Sequence, residues 1–302
     1  MSEQRSPTPG EGAVSLRRRS APGSRAAQGA FRTAMLVSLF LAVGTLVTLL
    51  VQVVVEGWPR LNSRLITEFP SSRPTRAGAQ SAIFGTIWVM GVVAVTCIPI
   101  GLGAAIYLEE YADRSRWYNR LIELNIQNLA AVPSIVYGIL GLAFLVRGLP
   151  NLGPTVLSAG LTLSLLVLPI VIIASREALR AVPGSLREAS LSLGATQWQT
   201  VSRQVLPAAI PGIATGTILA LSRAIGEAAP LLLLGALTFV TFNPDGLDSA
   251  FTVLPVQIFN WISRPQDEFR ILASAAIVVL LAILLAMNAT AIWLRNHYQR
   301  EW

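Results

Sequence analysis

REALRAVPGSLREASLSLGATQWQTVSRQVLPAAIPG, residues 176–212, is the stretch that decides how this chain is read. It holds most of a polar segment, 175–207, that separates two long apolar runs, and it is punctuated as short helices. SREALRAV carries a helical pattern and stops at Pro183-Gly184. Ser185 is placed to cap a new helix, with Glu188 three residues later as its capping-box partner. LREASLSL follows, Gly194 breaks it, and ATQWQTVSRQV forms a second short helix before Pro207. Ala189, Leu191 and Leu193 leave apolar surface on this loop. A docking partner explains such a surface better than water does; the plainer reading is an amphipathic interfacial loop.

The runs on either side set the class. Of 302 residues, 53% are hydrophobic and 13% charged, with a mean hydropathy of +0.59. Several runs approach or exceed the roughly 18–20 apolar residues that span a bilayer. The reading is an all-α integral membrane protein with six transmembrane helices, near 33–55, 81–107, 129–146, 155–174, 208–237 and 270–294. Residues 1–30, rich in Ser, Pro, Gly and Arg, read as a disordered cytoplasmic tail whose Arg17, Arg18 and Arg19 hold it at anionic lipids. The apolar run after it is too long for a signal peptide and lacks a clear cleavage site. Residues 31–80 form the first span and an external loop, 81–294 the core, and 295–302 a short cytoplasmic tail. Residues 109–124 read as a charged connector. Pro99, Pro133, Pro169, Pro211 and Pro230 fall inside the spans, where neighbouring helices satisfy freed backbone groups.

Charge gives the orientation. All 23 basic residues are arginine. With the N-terminus inside, 15 arginines fall inside, seven outside and Arg223 within the membrane, so both termini are expected in the cytoplasm. The segments 109–124 and 175–207 then share the cytoplasmic face. The absence of lysine removes whole chemistries. A phosphate-cradling GxxxxGK[ST] loop cannot be made, nor a Schiff base. If ATP drives this protein, another polypeptide binds it. One cysteine, Cys97, and one histidine, His297, exclude an internal disulfide and argue against a Cys/His metal site. A self-sufficient secondary transporter or channel would need inverted repeats or a proton relay. A membrane enzyme would need paired carboxylates or an activated nucleophile. Neither pattern is present.

The spacing in the polar loop is that of a known motif. Glu188-Ala189-Ser190, three residues, Gly194, nine residues, then Gln204-Val205-Leu206-Pro207 resembles the EAA loop of ABC-importer permeases, with Ser190 for alanine and Gln204 for isoleucine. The resemblance implies a coupling helix seated in a cleft of a separate ATPase, with Glu188, Ala189, Ser190, Gly194, Leu206 and Pro207 as the coupling residues. Three further stretches, NLAAVPSIVYGILGL (128–142), LSRAIGEAAPLLLLGA (221–236) and LPVQIFNWISRPQDEF (254–269), resemble the PstA permease family of phosphate-specific importers. GEAAP rather than GETMA favours PstA over PstC. The match covers roughly 80–294. It implies a type I (MetI-like) permease fold in the bacterial inner membrane. It implies a PstC-like permease, a dimer of PstB-like ATP-binding subunits and a PstS-like phosphate-binding protein as partners. ATP and Mg belong to the ATPase, and this chain binds no cofactor and is no enzyme by itself.

Arg223 and Glu227 interrupt the fifth apolar run, where insertion scales charge roughly 2.5–3.5 kcal/mol for such a group at the bilayer centre. Arg223 is read about 15 residues, or about 22 Å, into its helix. Arginine never titrates here and grips phosphate oxygens with a planar fork. Glu227, at i+4 on the same face, neutralises it until an anion displaces the carboxylate. Hydrogen phosphate keeps a proton that a carboxylate accepts, whereas sulfate has none. From the residues alone the pair reads equally as a structural ion pair between spans, and the resemblance favours the pathway role; a permease for molybdate, sulfate or phosphonate is the second substrate reading. Ser134, Tyr137 and Ser222 are pathway candidates that could instead bond across helices. Asn260 and Trp261 read as an interfacial belt, and Asn288 has no evident partner.

Overall fold

The computed structural model describes residues 22–113, 115–149, 151–236 and 239–298. The arginines at 17–19 lie outside them, as do residues 299–302 of the expected tail and the His297 side chain. The described chain is helical apart from its connections. The described residues up to Gln52 cluster as one unit and those from Val53 on as another. Helix α1 (Pro22–Gly57), most of which lies in the first, carries no charged residue between Arg32 and Glu56, and every residue of 27–52 is exposed.

The second unit is built on three long helices. α3 (Gln80–Ile106) runs on through a wide π turn to Tyr111. α6 (Val156–Arg180) starts from a Thr155–Ser158 capping box. α9 (Leu206–Ile225) continues a helix that begins at Gln197. Small residues let these backbones approach, as in membrane bundles generally. A Cβ on Gly101 would stand 2.7 Å from Val171, and one on Gly160 2.4 Å from Val92, so α3 and α6 touch at glycines on both helices. Between α6 and α9, Gly212 meets the Ala178 methyl at 2.7 Å and Gly216 that of Ala174 at 2.3 Å, from a built Cβ. Thr96 and Ser164 share a hydroxyl bond of 2.6 Å across α3 and α6. Cys97 is buried in this core.

Among the described residues, five helices are long and apolar enough to cross a membrane, or six if one bent pair counts as a span. That pair corrects the third expected span. Residues 129–146 are not one helix. α4 (Trp117–Ala130) and a second helical segment, Ser134–Val146 with α5 (Ser134–Leu140) as its first part, meet at 105°. Pro133 causes the break, because its ring drives the residue before it out of the helical region. Most of the expected connector is therefore helix.

The fifth expected span, 208–237, is also broken. α9 stops at Ile225, residues 226–228 leave the helix, and α10 (Ala229–Leu234) restarts it with Pro230 in its first turn. Proline lacks the N–H a continuing helix would need but fits a new helix's start. The two broken segments pack together, with a Gly138 Cβ position only 2.6 Å from Pro230 Cα.

At the end of the bundle where α3 begins, α11 (Leu254–Ile262) packs on α12 (Asp267–Tyr298), and Leu65 of a short helix α2 (Ser63–Thr67) is buried in the same core. Trp261 is not in an interfacial belt. It is fully buried with Phe269 and Leu272. Asn260 instead accepts a hydrogen bond of 3.1 Å from Arg264, whose guanidinium stacks 4.3 Å above the Phe269 ring.

Candidate functional site: a paired helix break and a coupling surface

Arg223 sits in the last turn of α9, two residues before its end, not midway along a continuous helix. The carbonyl end of a helix favours a cation. Glu227 lies in the break itself. Its Oε1 is 3.4 Å from Arg223 Nε, so the pair forms across the helix end rather than along one face. The arginine side chain is 52% exposed and the glutamate 18%. Arg223 thus extends from a helix end at which the chain leaves the helix for three residues. Broken helices of this kind occur at membrane depth where they line a cavity or are covered by protein.

The other pathway candidates are held differently. The Ser222 hydroxyl lies 2.8 Å from the Ile218 carbonyl and 2.7 Å from Asn288 Oδ1, so Ser222 and Asn288 join α9 to α12. Asn288 therefore has a partner that its sequence position did not reveal. The Tyr137 hydroxyl donates to the Leu129 carbonyl at 2.9 Å, pinning α5 to the end of α4. Ser134 is the first residue of α5, half-buried, at the Pro133 corner. The structure brings Arg223 and Glu227 together, while Ser222 and Tyr137 make bonds between or within helices.

The polar loop has a defined shape. α7 (Gly184–Ser192) buries none of its residues. Its N-cap is Pro183 with no side-chain bond, so Ser185 and Glu188 form no capping box. That box belongs instead to Thr196 and Gln199, which start α8 (Gln197–Thr200). Gly194 has φ +83°, a left-handed turn that admits glycine without strain. The second loop helix does not stop at Pro207. It passes through a π turn, Val201–Val205, directly into α9. The wide turn sits where the Pro207 ring would otherwise meet the Arg203 carbonyl. Ser190 and Thr200 share a hydroxyl bond of 2.9 Å that closes α7 against α8.

Between them runs a groove of about 400 Å³ lined by Leu186, Ala189, Ser190, Leu193, Gln199 and Arg203. Leu193 is 89% exposed and Trp198 63%. Glu188, Ala189 and Gly194 are also exposed on this loop, whereas Leu206 packs at the root of α9 on Val205 and Ala209. Pro207 is half-buried beside it.

Beneath the loop lies a charge cluster that reading 109–124 as a connector overlooked. Glu109 and Glu110, in the π turn closing α3, are nearly buried. Glu109 pairs with Arg180 at 3.1 Å and with Arg176 at 3.6 Å, and Arg176 reaches Glu123 of α4 at 3.0 Å. Glu110 takes Arg187 of α7 at 2.7 Å. One signal in the sequence pointed here: an acidic pair and an arginine-rich helix placed on the same membrane face. Nearby, Ser115 donates through hydroxyl and backbone N–H to Asp113 and holds that carboxyl below its ordinary range.

Comparison with known proteins agrees with this architecture. Residues 97–301 match the family model described as the binding-protein-dependent transport system inner membrane component. The chain is 32% identical to the probable ABC transporter permease protein YqgI of Bacillus subtilis, covering 82% of this chain and 88% of that one. It is 34% identical to the phosphate transport system permease protein PstA 1 of Mycobacterium tuberculosis, covering 72% and 70%. Among solved structures, it shares its fold with a chain of a bacterial alginate ABC transporter, at a TM-score of 0.67 and 16% identity over 92% of this chain and 98% of that one. The MetNI methionine ABC transporter gives 0.58 and 17% over 72% and 95%. This chain belongs to the family of inner-membrane components of binding-protein-dependent transport systems, multi-pass membrane proteins that work with a separate ATPase and a substrate-binding protein.

Proposed function

We propose that this chain is one permease half of an ATP-driven importer of inorganic phosphate. The observation that carries the reading is the Arg223–Glu227 pair at the break between α9 and α10, in a chain similar to PstA permeases over most of its length. A half-exposed arginine at a helix end offers an oxyanion a bidentate partner, and Glu227 occupies that arginine between transport events. The geometry suits exchange, because the pair makes one contact at 3.4 Å, not a two-point fork. An incoming hydrogen phosphate takes the guanidinium and gives its remaining proton to a hydrogen bond with Glu227.

The loop of α7 and α8 is the seat of the ATPase. Its exposed groove, with Leu186, Ala189 and Leu193 beside Ser190, Gln199 and Arg203, supplies the contact, and the continuous helix from Gln197 carries displacement to Arg223. The chain lacks lysine and so lacks a phosphate loop of its own, and ATP and Mg are bound by the partner. The assembly is this chain, a PstC-like permease, two PstB-like ATPase subunits and a PstS-like phosphate-binding protein, with both termini of this chain in the cytoplasm.

The test is ATP-dependent uptake of radiolabelled phosphate by proteoliposomes holding the whole complex, with excess sulfate or molybdate as competitor. Uptake that resists both anions supports the reading. An ATP-hydrolysing complex that takes up no phosphate, or whose uptake either competitor abolishes, assigns the pathway to another oxyanion.

A further inference from the structure

α7 presents a mechanical problem. None of its residues is buried, so apolar packing does not fix its attitude to the spans. A helix held only by its flanking turns would tilt when pushed and would waste the stroke of a docked ATPase. Something polar must hold it, and one side chain on it makes an unusual number of bonds.

Arg187 uses its whole fork. Its Nε lies 3.3 and 3.2 Å from the two oxygens of Glu110, and its Nη2 donates to Glu110 Oε1 at 2.7 Å. The same Nη2 donates to the Leu179 carbonyl at 2.8 Å, and Nη1 to the Val182 carbonyl at 2.7 Å. Those carbonyls belong to the end of α6 and the turn after it, and the Leu179 carbonyl also accepts the Val182 N–H at 3.3 Å. Glu110 belongs to the end of α3. One guanidinium therefore ties α7 to two spans at once. The carboxylate is 8% exposed and the arginine 23%, so water screens the pair less than it screens a surface ion pair. A planar fork held at both ends also fixes an angle, which a single contact does not. The Gln197 amide adds a bond to the Glu110 carbonyl, bringing the start of α8 to the same point.

We propose that Arg187 and Glu110 form a clamp that makes α7 move as one body with the ends of α3 and α6, and that this clamp sets how much transport each ATP hydrolysis produces. It rests on the reading of the α7–α8 loop as the ATPase seat. Beyond the clamp, the glycine contacts continue the rigid body from α3 through α6 to α9, whose far end carries Arg223. Arg187 and Glu110 are positioning residues, acting on the pathway through the spans they hold.

The test compares the parent complex with E110Q, R187Q and the double variant in proteoliposomes. Phosphate uptake and ATP hydrolysis are measured in the same vesicles and their ratio taken. Each single variant is expected to lower uptake per ATP roughly tenfold, within the range by which changes in a coupling network act. The double variant should fall no further than either single one, because both remove the same link. E177Q removes an exposed carboxylate outside the clamp and should keep the parent's ratio. A parental ratio in E110Q overturns the proposal, including the case where both rates fall together. Should E110Q fail to assemble, E110D carries the test: it keeps the charge, shortens the reach, and should give an intermediate ratio, and a parental one overturns the proposal.

A second readout needs no transport. A spin label on S185C, at the exposed start of α7, with Cys97→Ser to leave one thiol, should gain mobility when E110Q is added. Unchanged mobility overturns the clamp. A parent complex that hydrolyses ATP without taking up phosphate counts against the substrate reading, and the label then decides the clamp alone.

Discussion

Arg223 Nε and Glu227 Oε1 stand 3.4 Å apart across the end of α9, with the arginine in the helix and the glutamate in the break that follows. An ion pair along a continuous helix would be cemented by its own backbone. This one depends on a segment, 226–228, that has left the helix. The pair can therefore open by a local change in the break without unwinding a span.

The first prediction concerns Arg223. More than half of its side chain is exposed, so Arg223→Ala should cost only about 0–1 kcal/mol of stability. The complex should assemble and bind ATP while phosphate uptake falls to background. Arg223→Lys keeps the charge but loses the fork, and should leave partial uptake. Size-exclusion chromatography beside uptake measures both. A variant that fails to assemble makes the pair a structural bolt. Full uptake in Arg223→Ala removes it from the pathway.

Parts of this site were legible in the sequence and parts were not, for physical reasons. Hydropathy marks spans well, since a bilayer demands long apolar runs, and α3, α6 and α12 lie where it puts them. It reads straight through 226–228, because Gly226 and Ala228 keep the run apolar although the helix stops. Pro133 and Pro230 were the available signals for the breaks. Proline is tolerated inside membrane helices often enough to hide them. Gly194 was legible because a left-handed turn has a local residue requirement. Glu110 and Arg187 are separated by 77 positions, and no local pattern announces a contact that only the packing of α3 on α6 creates. Trp261 failed as a belt residue for a similar reason: the packing of α11 on α12 decides that it is covered.

Gly194 supplies the second prediction. At φ +83° a β-branched side chain is strongly strained, while asparagine tolerates the region. Nothing lies within 4 Å of its added Cβ, so space is not the limit. Gly194→Val should therefore distort the α7–α8 turn, lose capture of the ATPase subunit in a pull-down and abolish uptake, with normal membrane insertion. Gly194→Asn should retain most of both activities. Equal behaviour of the two variants would mean that backbone conformation at 194 is not what docking requires.

The third prediction separates packing from chemistry. A Cβ at Gly216 stands 2.3 Å from the Ala174 methyl, so α6 and α9 cannot accept even alanine there without moving apart. Gly216→Ala should destabilise by about 1–3 kcal/mol, the usual cost of overpacking. Thermal unfolding of the detergent-solubilised complex measures it. Ala174→Gly in the same chain removes the opposing methyl and should recover most of the loss. A lack of recovery would place the clash elsewhere.

The fourth prediction weighs Ser222 as a bolt against Ser222 as a ligand. Its hydroxyl is 2.7 Å from Asn288 Oδ1 and 2.8 Å from the Ile218 carbonyl, so its hydrogen-bonding capacity is directed at α12 and at its own helix. Hydrogen bonds between membrane helices average about 0.6 kcal/mol in double-mutant cycles. Ser222→Ala, Asn288→Ala and the double variant should show a coupling of that order in thermal stability. The concentration of phosphate giving half-maximal uptake should stay at the parent's value in all three. A several-fold rise confined to Ser222→Ala would mean that the hydroxyl leaves Asn288 for the anion during transport. The contact between α9 and α12 would then be made and broken in each cycle, and Asn288 would hold the serine only while the pathway is empty.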